Sequence, residues 1–394
     1  MYSIIVTMAK IYLDYAATTP VDPKVRQAML SHLRRDFGNP SSIHGFGQKA
    51  LEAIDRAREK TAVFLGCETS EIIFTGSATE ANNLALFGLL KSSDHLITSR
   101  IEHPSVLESC RELEKRGIDL TYLPVSKDGL VSVSDIEKAI KSNTALVSVM
   151  YANNEIGTIQ PVAEIGQLLK NKNRQRKNRI YLHTDAVQAA NYLDCHVNKL
   201  SVDLLTLSSH KIYGPKGVGA LYLRGGTNVF PLIYGGGQEF GLRSGTQNVA
   251  GIVGMGKALE EIDNPKSKIQ NIKIRQWRDK LIKIILKAVP DSWLNGSATQ
   301  RLPNNINISF RGAEGEAMVV ALDQKGIAVS TGSACSAKSL KPSHVLLAIG
   351  LSPEKAHGSL RITLGKYTTQ QEIEKVLRVL PGIVERLRKI SGYK

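Results

Sequence analysis

Between about residues 70 and 225 the chain alternates short apolar runs with stretches of helical spacing, and few architectures accommodate that rhythm. EIIFT (71–75), HLITS (95–99), ALVSVM (145–150), IYLHT (180–184), VDLLTL (202–207) and GALYL (219–223) read as strands. Several are apolar at nearly every position, as strands covered on both faces are. EANNLALFGLL, after the first of them, reads as a helix. Strands interleaved with helices predict an α/β domain built on a mostly parallel sheet. The pattern changes after about residue 260. KIRQWRDKLIKIILKAV is an amphipathic helix, NNINISF (304–310) and LRITL (360–364) read as strands, and QQEIEKVLRVLPGIVERLRKI ends the sequence as a helix that Pro381 is expected to kink. A second, smaller α+β domain is therefore predicted. With 394 residues, 42% of them hydrophobic, the protein has enough apolar material for two or three cores.

Several classes are excluded early. No apolar run approaches the roughly 18 residues that span a bilayer. The opening MYSIIVTMAK has only a short apolar stretch with no basic residue ahead of it, which argues against a signal peptide, and Met8 is a candidate start. Cys67, Cys110, Cys195 and Cys335 are too scattered for a CxxC pair or a zinc site, so no metal site is expected. They suit a reducing, cytoplasmic setting, most of them as core fillers. The net charge of +15 favours acidic partners without choosing among proteins, RNA and anionic metabolites. KNKNRQRKNR (170–179) carries six basic residues and no acidic one. It reads first as a solvated loop and, more sharply, as a docking patch for an acidic protein or RNA.

In an open parallel sheet, ligands bind beyond the carboxyl ends of the strands. After EIIFT comes GSATE and a helix, where free N–H groups and the helix dipole suit a phosphate. An ordinary N-cap by Ser77 or Thr79 explains the same residues. His103 follows HLITS and precedes Pro104, a placement more often structural than catalytic. Asn153 and Asn154 follow ALVSVM as turn formers or ligand contacts. Asp185 follows IYLHT, as a helix cap or as a carboxylate facing a ligand cation. Lys211 follows VDLLTL in SSHKIYGPKG. A lysine near apolar surroundings has a depressed pKa and can form a Schiff base, although most lysines only solvate a surface. Together these strand ends offer a phosphate cradle, an aromatic lid, a carboxylate, amide donors and a lysine, which are the parts a pyridoxal phosphate enzyme needs.

LDYAATTP, GNPSSIHGFG, FTGSATEANNLA, EHPSV, NNEIGTIQP, HTDAVQ, SSHKIYGPKG, RSGTQNVAGIVGMG and STGSACSAKSLKPSHVL occur in that order from about residue 11 to near the C-terminus. In them the chain resembles the cysteine desulfurases, and within these the subgroup that serves iron–sulfur cluster assembly and tRNA thiolation. The long serine-rich segment around Cys335 resembles that subgroup and not the one with a shorter cysteine loop. The resemblance implies a fold type I pyridoxal phosphate enzyme of the class-V aminotransferases. Its large cofactor domain, with a mostly parallel seven-stranded sheet, would span 16–262. Its small domain, 1–15 with 263–394, would carry the cysteine loop at about 330–345.

The resemblance also implies roles. Lys211 would hold the cofactor and move protons. Asp185 would pair with the pyridine nitrogen, so that the ring can act as an electron sink. His103 would stack on the ring and take part in acid–base steps, and Gln188 would bond the phenolic oxygen. Ala78 through its backbone, Thr79, Ser208 and His210 would hold the phosphate, and Thr246 would reach the phosphate of the other subunit of a homodimer. Asn154 and Arg361 would hold the substrate carboxylate, Arg361 by a bidentate clamp. Cys335 would take the sulfur of L-cysteine as a persulfide, leaving alanine, and pass it to an iron–sulfur scaffold protein, a tRNA-modifying sulfurtransferase, or both. Small residues around it would give the thiol reach. Neither a membrane nor direct nucleic-acid binding is implied.

Four departures from the family pattern stand out: Ser209 where glycine is common, Phe240 where arginine is common, Lys338 close after Cys335, and the basic stretch 170–179. None removes a catalytic group. A selenocysteine lyase or C–S lyase on the same fold is the enzyme alternative, and Cys335 argues against it because a lyase needs no such thiol. A non-catalytic scaffold of the sulfur machinery is the other, and it would be expected to lack Lys211, Asp185 or Cys335.

Overall fold

The computed structural model describes residues 11–332 and 342–393. In sequence order its elements begin β1 (Ile11–Tyr12), α1 (Pro23–Arg34), α2 (Gly45–Leu65), β2 (Ile72–Thr75), α3 (Ala78–Leu89), β3 (His95–Ser99), α4 (Pro104–Lys115), β4 (Asp119–Leu123) and α5 (Val133–Ala139). They continue with β5 (Thr144–Ser148), α6 (Val162–Asn173), β6 (Tyr181–Asp185), α7 (Val197–Leu200), β7 (Leu204–Ser208), β8 (Gly219–Leu223) and α8 (Val249–Ile262). The last group is α9 (Pro265–Ala288), β9 (Ser292–Leu294), β10 (Asn305–Phe310), α10 (Gly315–Asp323), β11 (Ile327–Ala328), α11 (His344–Ala348), α12 (Pro353–His357), β12 (Ser359–Thr363) and α13 (Gln370–Ile390).

Seven strands form one sheet in the order β2-β8-β7-β6-β5-β3-β4. All neighbours are parallel except β8, which runs against both β2 and β7. The near-continuous apolar strands have the reason expected of them. Successive side chains point to opposite faces, and both faces are covered. Phe74, Ile97, Val147 and Leu205 enter one core with Ile54 of α2 and Met255 of α8. Their sequence neighbours Ile73, Leu96, Leu146 and Leu204 enter another with Leu84 of α3 and Val106 of α4.

A third core gathers Ile11 and Leu13 with residues from beyond α8: Ile274 and Leu281 of α9, Ile306 and Ile308 of β10, Leu360 and Ile362 of β12, and Leu380 of α13. Here β12-β10-β9 make a three-stranded antiparallel sheet, and β1 pairs with β11 in parallel. A small fourth cluster packs Val345, Leu346 and Ile349, in and just after α11, against Ile101, Met150 and Ile156 beyond the large sheet's strands. That contact brings the segment after residue 341 up to the carboxyl ends of the parallel strands.

Three details differ from the sequence reading or refine it. The edge strand β4 is not among the apolar runs. The closing segment forms one helix from Gln370 to Ile390 with Pro381 inside it, where the ring removes one N–H from the bonding pattern. The basic stretch is not all loop: α6 extends to Asn173, and the turn after it is tied down. Arg176 donates to the carbonyls of Lys141 (3.1 Å) and Ser142 (2.8 Å), Lys172 pairs with Glu137 at 2.6 Å, and Arg179 pairs with Asp203 at 2.5 Å. Three of its six cations thus bond to residues of neighbouring elements. Among the described residues no helix is long and apolar enough to cross a membrane.

Candidate active site

A cavity of about 760 Å³ opens at the carboxyl ends of the parallel strands. Ala78, Thr79, His103, Asn154, Asp185, Gln188, Ser208, His210, Lys211 and Arg361 all line it. Thr246 lies outside, exposed in the turn before α8, and Cys335 lies outside the described residues. Gly332 and Ser343, which stand on either side of the undescribed stretch, both line the cavity.

The anion end is built from the turn after β2. Ser77 caps α3 by accepting from Glu80 N at 3.1 Å, so the ordinary capping role is real. It leaves the N–H groups of Ala78 and Thr79, at the first two helical positions, pointing out of the helix end. β8 backs this turn closely: a Cβ on Gly219 would lie 2.6 Å from the Ser77 carbonyl carbon, so only glycine fits. Ser208 ends β7, and His210 follows it with Nδ1 3.1 Å from Thr18 Oγ1. Burial, with Lys211 and Lys216 adding to it, pushes the His210 ring down to about 4, so it is neutral at pH 7.

Asp185 ends β6 and is buried. Its Oδ1 accepts from Val187 N (3.0 Å) and its Oδ2 from Asn82 Nδ2 (2.9 Å). His103 caps α4 with Pro104 as the first helical residue. Its Nδ1 accepts from Ser105 N at 3.1 Å, which places the proton of the neutral ring on Nε2. Burial holds this imidazole below the ordinary histidine range, with the charges of Lys211 and His344 adding to the effect and Asp185 opposing it. Lys211 Nζ donates to Ala16 O (2.5 Å) and Ala17 O (2.7 Å), and Gln188 Nε2 also donates to Ala16 O, at 3.0 Å. Arg361, on β12, is 2% exposed. Its Nε is buried and has no hydrogen-bond partner among the described residues.

These groups fit pyridoxal phosphate. N–H and O–H donors line the phosphate end, and Asp185, a buried carboxylate, and Lys211, a primary amine, line the same cavity. The bare Nε of a buried guanidinium fits a substrate carboxylate. Sequence reasoning missed several contributors. Asn82 and Ser105 act from helix faces that adjoin the site only after folding, and Asp14 and Glu155 act through Arg361 and Ser343. His344, a third histidine on the cavity wall, is held through Nε2 by Glu102 O at 3.0 Å. Its place in the KPSHVL motif was the available signal. Two departures also find an explanation. The Ser209 side chain fills the space over Gly214, where a Cβ would lie 2.0 Å from Ser209 Oγ, and so does not enter the phosphate turn. The Phe240 ring lies 5.1 Å from the Arg58 guanidinium.

A parallel sheet with one reversed strand and a lysine, a carboxylate and an anion cradle at its strand ends is the arrangement of a cofactor-dependent transferase, and the chain belongs to the class-V aminotransferase family, whose profile matches residues 11–376. It is similar to cysteine desulfurase IscS of Dictyoglomus turgidum, with 50% identity covering 98% of this chain and 97% of the relative. Among solved structures it resembles a NifS-like protein at 37% identity and a TM-score of 0.86, covering 98% of this chain and all of that one. It also resembles one described as SspA in complex with cysteine, at 41% identity and a TM-score of 0.79, covering 91% of this chain and all of that one. More narrowly, then, the chain is a pyridoxal-phosphate-dependent cysteine desulfurase.

Proposed function

We propose that the enzyme draws sulfur from L-cysteine onto Cys335 and passes it to an acceptor protein for iron–sulfur cluster assembly, for tRNA thiolation, or for both. The observation that carries this reading is the single cavity on which Lys211, Asp185, His103 and Arg361 converge from two different cores. Lys211 and the anion cradle would hold pyridoxal phosphate, which would supply the electron sink that makes the substrate Cα acidic. Arg361 and Asn154 bind and orient the substrate carboxylate. Lys211 Nζ would take the Cα proton, and Asp185 would face the cofactor's ring nitrogen and favour its protonated form. His103, neutral at pH 7, carries a proton at Nε2 that can be given or taken in the acid–base steps. The Cys335 thiolate attacks the substrate sulfur. An S–S bond would form, the Cβ–S bond would break, Cβ would take a proton, Lys211 Nζ would return its proton to Cα, and alanine would leave.

The other thiols are poor candidates for this step. Burial pushes Cys67 up to about 12 and raises Cys110 and Cys195 further. A homodimer is part of the reading, with Thr246 reaching the phosphate of the other subunit. The exposure of Phe37, Ile43, Phe46, Phe230 and Tyr234 supports it, since large apolar side chains left in water mark contact surfaces. The division into a large domain at 16–262 and a small one formed by 1–15 and 263–394 also belongs to the reading. It is supported by Leu13 and Ile274 sharing one core while Tyr15 and Ile262 share another.

The test is a single turnover of the loaded enzyme with L-cysteine, following alanine and the mass of the Cys335 peptide. Alanine with a one-sulfur gain on that peptide is expected. Alanine with free sulfide and no gain would overturn the role of Cys335 and make the enzyme a lyase.

A further inference from the structure

Arg361 reaches the cavity with some of its donors already committed. Nη1 donates to Asn154 O (3.0 Å) and Gly332 O (3.1 Å), and Nη2 donates to Asp14 Oδ1 at 2.7 Å. Nε and Nη2 form the side-on fork of a guanidinium, the pair of donors that takes a carboxylate in two parallel hydrogen bonds. Asp14 therefore engages one arm of the fork, and the Nε–H on the other is buried and has no partner among the described residues.

The arrangement answers an electrostatic need. A buried guanidinium with no counter-ion is strongly unfavourable, and in the absence of substrate Asp14 is the carboxylate paired with it. The same arrangement has a cost for binding. An amino-acid carboxylate arriving at Nε must share Nη2 with Asp14 and lie beside a second negative charge.

Asp14 is firmly held in this position. Its carbonyl accepts from Tyr12 OH (2.9 Å) and Ala17 N (3.0 Å). Its backbone bridges to Thr363, two residues along β12 from Arg361. Leu13 and Ile362, the sequence neighbours of the pair, share one apolar core. Arginine and counter-ion thus belong to one body, while Lys211 and Asp185 follow strands of the large sheet.

We propose that Asp14 is a positioning residue and the resident counter-ion of Arg361. It keeps the empty clamp oriented, and its charge limits the grip on an amino-acid carboxylate so that product leaves as readily as substrate enters. The inference rests on Arg361 being the carboxylate clamp of the proposed function.

The experiment compares the binding of L-alanine and L-alaninamide, which lacks the carboxylate, to loaded wild-type enzyme and to Asp14→Asn by titration calorimetry. Asn keeps an oxygen that can accept from Nη2 and removes only the charge. The expected result is about tenfold tighter alanine binding in the variant with alaninamide unchanged, since a like charge at contact distance has been removed. Unchanged alanine affinity, weaker alanine affinity, or an equal change for both ligands would overturn the proposal. Should Asp14→Asn fail to fold, Asp14→Ser, a smaller uncharged acceptor, is measured against the same criteria. Tighter alanine binding in the variant together with a wild-type enzyme that releases no alanine from cysteine would sink the desulfurase reading and leave this one standing.

Discussion

Asn82 uses both amide hydrogens inside the site. Nδ2 donates at 2.9 Å to Asp185 Oδ2 and at 2.9 Å to Ser105 Oγ, which in turn lies 2.8 Å from His103 Nδ1. One side chain thereby sets the orientation of both the carboxylate and the imidazole. A hydrogen bond to a charged group contributes about 1.5–3 kcal/mol, so Asn82→Ala is expected to lower kcat/KM about ten- to a hundredfold. The cofactor's visible absorption should persist, which steady-state kinetics and a spectrum check together. Glu102, beside His103, makes a second residue-scale prediction. Its carboxyl has no exposure and is pushed up to about 8, chiefly by burial, with Ser99 Oγ at 2.5 Å and Met150 N at 3.0 Å opposing. Unfolded, it would lose its proton near 4.5; folded, it keeps the proton until about 8. Between those values the folded state binds more protons, so rising pH costs up to about 1.4 kcal/mol per unit from this group alone. Glu102→Gln has no such proton to lose. Urea titrations should show it more stable than wild type at pH 8 and flatter across pH 5 to 8. Neither residue could be read from the sequence. Lys211 and Asp185 stand at the ends of recognisable strands, whereas Asn82 looks like any polar residue on an amphipathic helix until α3 and α4 pack side by side.

At the scale of elements, the turn after β8 is fastened to α2 and β2 by one buried ion pair. Arg58 meets Glu239 twice, at 2.8 and 2.9 Å, and Phe74 N donates to the same carboxylate at 2.8 Å. The guanidinium also lies over the rings of Phe74 (4.9 Å) and Phe240 (5.1 Å). Glu239→Ala leaves a buried cation unpaired and is expected to destabilise the fold by about 3–5 kcal/mol, read from urea unfolding. Which strands were legible follows from burial. Ile72–Thr75 and Leu204–Ser208 are buried at every position and stand out as apolar runs. Asp119–Leu123, an edge strand, has one buried position in five, so DLTYL carries neither a continuous run nor a clean alternation. The basic stretch misleads for a related reason. Composition shows its six charges but not that Arg176, Lys172 and Arg179 find carbonyls and carboxylates on neighbouring elements.

For the molecule as a whole, the loops around residues 37–46 and 230–240 leave Ile43 95% exposed, Phe37 68% and Tyr234 79%. Equilibrium sedimentation is expected to give twice the 43.0 kDa mass of one subunit, and Ile43→Glu is expected to shift the enzyme toward monomer with loss of turnover. The motifs that carry the resemblance made the large architecture readable, because five of them fall at the ends of strands of the large sheet and their order follows the path of the backbone. What they could not convey is the pairing of Arg361 with Asp14; the cavity wall draws on two hydrophobic cores, with Lys211 and His103 beside the large sheet and Arg361 beside the other core. A wall assembled along such a seam is only as firm as the seating of one body on the other, and that seating can loosen while both interiors remain packed. Mild denaturant or modest heating should therefore silence the enzyme before circular dichroism registers any loss of helix, and cooling or dilution should restore it without refolding.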